Sequence, residues 1–185
     1  MLLAHLRTLA RANLLANRRL HAACLQLTDD EFAAPRTGFF PSLRATLNHI
    51  LIVDWYYIAA LHGEADMRKA FRDDEPFGRM GPLVDAQRAT DLELIAWCDA
   101  ADDARLVTTI EMDRGTSTQR DLAHHVLTHL FTHQVHHRGQ AHAMLSGTRI
   151  APPQLDEFVM PSEAHYRVGD LAAVGWSERD LFRAE

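Results

Sequence analysis

Cysteine is almost missing from this chain. Its 185 residues include two, Cys24 and Cys98, far apart and in no CxxC pair, which excludes a disulfide scaffold and a cysteine-based zinc finger. Glycine and proline are sparse as well, 9 and 7, too few for a collagenous or low-complexity chain. Lys69 is the one lysine; the other basic residues are arginines, which reads as the codon bias of a GC-rich genome rather than a functional signal. A surplus of positive charge is lacking too. The 19 basic residues face 25 acidic ones, for a net charge of −6, and this argues against nucleic-acid binding. No hydrophobic run is long enough for a membrane: the longest, residues 50–61, contains Asp54 and could not span a bilayer. Residues 1–7 show no charged start followed by an apolar run. No secretory signal is therefore expected, and the expected location is the cytoplasm, with both thiols reduced.

What is present is an ordinary globular composition, 47% hydrophobic and 24% charged. The length fits one domain over residues 1–185 with its own core, residues 148–185 forming a C-terminal tail packed on the body. Residues 2–27 read as an amphipathic helix, with leucines near helical spacing and no Gly or Pro to interrupt them. Thr28 to Glu31 has the form of a capping box, which predicts a short helical turn. Ser42 is a good N-cap for a second helix that is apolar on nearly every side, closed by Gly63. Residues 64–81 read as a charged connection with a turn of helix. A third helix is predicted over 83–101, after Gly81-Pro82. Residues 106–112 could be a strand, and Asp113-Arg114-Gly115 a turn into 116–119, which leaves room for a short β-hairpin. Thr118 to Asp121 offers another capping box, so the fourth helix is predicted over 119–146, ended by Gly147. The expected fold is all-α, a four-helix bundle.

Histidine is the feature that points to chemistry. Seven of the twelve histidines fall between 124 and 142. On a wheel of about 100° per residue with Leu122 at zero, Val126, Leu130 and Met144 mark a core face between about 40° and 80°. His133 and His137 fall in its centre, and His129 and Gln140 at or beside it. His124 and His142 fall opposite, and with His125 and His136 read as solvated or interface residues. Arg138, at about 160°, reads as an ion-pair or dimer residue. A lone inward histidine is more often a hydrogen-bonded core residue. Two of them four residues apart stack on one face and can reach one ion, and each ring nitrogen buried without a partner would otherwise cost about 1–3 kcal/mol. A third ligand must come from another helix. His5, His21, His49, His62 and Asp54 are candidates, and spacing does not choose between His49 and Asp54. Trp55, Tyr56 and Tyr57 read as core, with a tyrosine hydroxyl near the ion as a second reading.

The run His133-Gln134-Val135-His136-His137-Arg138-Gly139-Gln140 resembles the HxxxHRGQ signature of the DinB family of metal-binding four-helix bundles. Leu47-Asn48-His49-Ile50 resembles that family's second metal motif. Residues 152–156 resemble its usual sequence after the last helix, and Asn13 and Asn17 a recurrent feature of helix one. The resemblance implies His49, His133 and His137 as metal ligands, and a homodimer. Some relatives are thiol S-transferases, or isomerases that use bacillithiol, mycothiol or glutathione; many have no known reaction.

Three neutral imidazoles would leave a divalent ion with open positions, the arrangement of a catalytic site, and would suit zinc or nickel better than magnesium. The expected function is therefore a metal-dependent enzyme, a thiol S-transferase or hydrolase acting on a small electrophile, with a low-molecular-weight thiol as diffusible cofactor. The alternative is a non-catalytic, metal-containing dimer that binds a ligand or partner. Gln140 reads as a group that orients a ligand histidine.

Overall fold

The computed structural model of the chain describes residues 1–182. The last three residues of the predicted tail lie outside them. Four long helices form the body: α1 (Leu2–Cys24), α3 (Leu43–His62), α4 (Met80–Ala100) and α6 (Ala123–Leu145). α1 packs on α4 and α6, and α3 packs on the same two, so α1 and α3 stand at opposite corners of a four-helix bundle. No helix among the described residues is long and apolar enough to cross a membrane.

Local chemistry sets most of the boundaries. α1 stops at Cys24, three residues before its predicted end, because the next helix, α2 (Asp29–Ala33), starts at once. Its capping box is complete: Glu31 N–H donates to Thr28 Oγ1 at 3.2 Å and Thr28 N–H to Glu31 Oε2 at 2.8 Å. α3 opens with Ala45 N–H on Ser42 Oγ at 3.0 Å and closes on Gly63 at φ 73°, a left-handed conformation that favours glycine. The 64–81 connection holds a 3₁₀ turn, Met67–Phe71, packed on α3. After α4, the short α5 (Asp103–Leu106) leads into the hairpin of β1 (Thr109–Asp113) and β2 (Thr118–Leu122).

The hairpin corrects one expectation. Thr118 to Asp121 is not a helix cap. These residues pair with β1 in the register Thr109↔Leu122 to Asp113↔Thr118, so their backbone groups are used in a ladder and α6 begins only at Ala123. Ile110 and Met112 alternate inward and attach the hairpin to the core. Gly147 is no left-handed cap either; α6 ends through Ser146 in the right-handed region.

The apolar core comes in two halves. One holds Leu6 to Ala16 of α1, the later part of α3, the end of α4 and the start of α6. The other holds Leu20 to Cys24, the start of α3, the start of α4 and the end of α6. Between them, each helix contributes polar residues that are all buried: Asn13 and Asn17, Asp54, Gln87 and Asp91, Gln134 and Arg138. Beyond α6 lie a 3₁₀ turn (Pro161–Tyr166), α7 (Val168–Val174) and α8 (Glu178–Leu181), which place Leu171 and Leu181 in the first half of the core. Arg19 of α1 grips this segment through Asp170 and Glu157, both at 2.7 Å.

Candidate metal centre

The tight packing of α3 on α6 brings His49 against His133 and His137. One ligand atom from each of the three lies within 4.8 Å of the others. The closest pair is His49 Nε2 and His133 Nε2, at 3.1 Å. Two nitrogens bound tetrahedrally to one ion at about 2.0–2.1 Å would stand about 3.3 Å apart, so the approach matches a shared ion as well as a hydrogen bond. His133 Nδ1 is buried without a hydrogen-bond partner among the described residues.

The rings are held in the neutral form. Burial pushes His133 down to about 3, helped by the charges of His137 and His49. Burial, then His137, lowers His49 to about 4, with Asp74 opposing. His137 is lowered by burial, while its bond to Gln140 works the other way. Neutral imidazoles keep a lone pair for a cation, which is the protonation state a metal site needs.

Gln140 sets the orientation of His137. Its Oε1 lies 2.8 Å from His137 Nδ1, while its amide nitrogen lies 3.1 Å from His136 Nε2. When Nδ1 carries the proton and donates it to Gln140, Nε2 of His137 is left as the free donor atom. Phe40, in the loop before α3, covers the other side with its ring 4.3 Å from that of His49 and 5.4 Å from that of His137.

Asp54, the rival third ligand, is not part of this cluster. It is fully buried in the polar layer, where its Oδ2 accepts from Gln87 Nε2 at 2.8 Å and from Gln134 Nε2. Burial and the nearby Asp91 charge raise its pKa well above the usual carboxylate range. The tyrosines do not reach the cluster. Tyr56 Oη donates to the Asp113 carbonyl at 2.8 Å, and Tyr57 Oη accepts from Arg114 at 3.1 Å. The other candidates lie elsewhere: His5 and His62 are exposed, and His21 is buried against the polar layer. His129 is exposed, and His142 lies 3.0 Å from the Pro153 carbonyl. Cys24 and Cys98 are buried, and burial pushes both thiols up to about 12.

Arg138 requires the larger correction. It is 7% exposed, and its Nη1 donates to Asn13 Oδ1 at 2.6 Å and Asn17 Oδ1 at 2.8 Å. The two amides pass their own N–H groups to Asp91, at 3.0 to 3.2 Å. Arg138 is therefore the cation of a buried relay to Asp91, in keeping with the ion-pair reading, and it lies inside the bundle rather than at a dimer face. The wheel was centred too far round. Leu127 and Phe131 are buried as well as Val126 and Leu130, which moves the middle of the core face to about 100°. His133 then stands at its edge, half-buried, and Gln134 and Arg138 lie inside. Using Leu127 and Phe131 as core markers would have revealed this; nothing in the sequence marked Gln87 or Asp91.

Comparison with known proteins agrees with the geometry. The model of the DinB family matches residues 2–167. A Bacillus subtilis (strain 168) protein named "Uncharacterized protein YizA" is 26% identical over 129 residues, spanning 70% of this chain and 79% of its own length.

Proposed function

Because the chain belongs to the DinB family, whose members are metal-binding, we propose that it is a metal-dependent enzyme, a thiol S-transferase or hydrolase acting on a small electrophile. The observation that carries the reading is the convergence of three neutral imidazoles from two helices, ligand atoms within 4.8 Å, with His133 Nδ1 left without a partner. The donor set suits zinc or nickel. Such an ion, held by His49, His133 and His137, would have coordination positions to spare and supply Lewis acidity to a water or thiol near neutral pH.

The protein's own groups have narrower tasks. Gln140 fixes the tautomer of His137, and Phe40 keeps bulk water off one side. The thiol is a diffusible low-molecular-weight cofactor, because Cys24 and Cys98 are buried as neutral thiols outside the cluster. One observation favours the second reading, a non-catalytic metal-containing dimer that binds a ligand or partner: Asp54 faces Gln87 and Gln134, which leaves it unavailable as a general base at the histidines. A homodimer in the cytoplasm is proposed for either reading. It rests on the family resemblance, since the apolar sides of α3 are covered within one chain.

Elemental analysis and a conjugation assay test the proposal together. Purified protein should carry roughly one divalent ion per chain. His133→Ala and His137→Ala should lose it, and His124→Ala and His142→Ala should keep it. Conjugation of a small electrophile is then measured with bacillithiol, mycothiol and glutathione. Equal rates in wild type and His137→Ala would overturn the metal-dependent mechanism.

A further inference from the structure

We propose that the site takes a carboxylate-bearing small molecule, whose carboxylate sits on Arg114 in a pocket one helical turn from the histidine cluster. The inference deepens the enzyme reading and rests on it for the reacting end of the molecule. The pocket, of about 230 Å³, lies between α3, the hairpin and α6, and is lined by Tyr57, Arg114, His125 and His129 among others. That is too small for a whole substrate and suits one polar end of it.

Arg114 is built into place. Its guanidinium lies over the rings of Tyr56 and Tyr57, 5.1 and 5.6 Å from their centroids. Its Nη2 donates to Tyr57 Oη at 3.1 Å and its Nε to Gln119 Oε1 at 2.9 Å. Asp121 lines the same pocket, but its Oδ2 accepts from Gln119 Nε2 at 2.6 Å. Gln119 therefore stands between the two, its amide orientation fixed so that the oxygen faces Arg114. No ion pair is made by Arg114 among the described residues. A second guanidinium, that of Arg68, packs against the turn, where a Cβ on Gly115 would come within 2.9 Å of it. Two cations thus border the hairpin turn, and Arg114, though exposed and within the field of Asp121, is held by two side-chain hydrogen bonds and two rings with no carboxylate in direct contact among the described residues. A planar fork in that state matches a carboxylate.

The link to the cluster is short. The Tyr57 ring is 5.2 Å from that of His129, and the His129 ring 6.3 Å from that of His133. His125, His129, His133 and His137 follow at four-residue spacing along α6, so the anion pocket and the cluster share one face of one helix. A ligand seated on Arg114 would have to extend past His129 to reach His133, along ring-to-ring steps of 5.2 and 6.3 Å from Tyr57.

The test needs no metal. Butyrate, and butyramide as its uncharged match, are titrated into the full-length metal-free protein while the ring signals of His125 and His129 are followed by NMR. Butyrate should give saturable shifts and butyramide none. Arg114→Met should weaken butyrate about tenfold or more, the effect of losing a charge-assisted hydrogen bond. Tyr57→Phe, which keeps the ring and removes the hydroxyl that holds Arg114, should weaken it less. Circular dichroism checks that each variant is folded. Absence of saturable shifts in wild type, or equal affinity in Arg114→Met, overturns the proposal. Metal content is measured separately, so a protein that binds butyrate but no metal refutes the enzyme reading and leaves the anion pocket standing.

Discussion

Arg138→Met is the sharpest test of the buried polar layer. The substitution keeps much of the volume and removes the cation. Asn13 Oδ1 and Asn17 Oδ1, both on buried side chains, would each lose a charge-assisted bond, of 2.6 and 2.8 Å. Asp91, 3% exposed, would keep its amide donors but lose the Arg138 charge that favours its ionised form. Breaking a buried pair by removing one member costs about 3–5 kcal/mol, most of it from the charge left behind. For a domain of this size that is a large share of a total stability of about 5–15 kcal/mol. Urea unfolding followed by circular dichroism reads the loss as a lower midpoint at unchanged slope. Two refinements separate charge from packing. Asp91→Asn in the same chain should recover part of the loss, giving a coupling energy of about 1–3 kcal/mol. Acidification should also relieve it. Burial already lifts Asp91 to about 6 with Arg138 present, and removing Arg138 lifts it further, so protonation below that pH removes the uncompensated charge. A change within about 0.5 kcal/mol, typical of a surface site, would refute the reasoning.

Three other outcomes are expected. Gln140→Leu, which removes no ligand but frees the His137 ring, should lower metal affinity about 10–100-fold in a competition titration with a chelator; unchanged affinity would show that the 2.8 Å contact is incidental. Metal-free protein should lose stability as pH falls below 6.5. His21, held at about 3 by burial, contributes about 5 kcal/mol that is complete above 6.5 and gone by pH 3. Asp91, raised from 3.8 to about 6, works in the opposite direction for about 3 kcal/mol, and Asp54, held well above the carboxylate range, works the same way; His49 and His133 add to the loss, so three histidines against two carboxyls leave the net slope destabilising in acid, and a rise in urea midpoint between pH 6.5 and 4 would contradict this. Light scattering at micromolar concentration should give twice the 20.9 kDa of one chain; a mass at the monomer value removes the homodimer.

Much of this molecule was legible in its residues because the relevant physics is local. Apolar spacing marked the four long helices, Thr28 and Glu31 marked a capping box, Ser42 and Gly63 marked the ends of α3, and Asp113-Arg114-Gly115 marked a hairpin turn. Each depends on groups within a few positions of one another. The His133–His137 pair belongs to the same class, since four-residue spacing on a helix puts two rings on one face wherever that helix ends up. The phase of that face was another matter. Two inward histidines and a few leucines pointed to the right side of α6, but the true centre depends on what packs against it, and only the bundle shows that Leu127, Phe131, Gln134 and Arg138 are covered. Which of His49 and Asp54 stands beside the two histidines also waited for the fold. Both lie on α3, five residues apart, and each is a reasonable ligand by its chemistry. The packing of α3 against α6 turns His49 toward the histidines, and α4 supplies Gln87 to hold Asp54 in the polar layer. The partners that join Asp54, Asp91 and Arg138 across helices are drawn from segments 33 to 125 residues away, and no one-dimensional pattern encodes those distances.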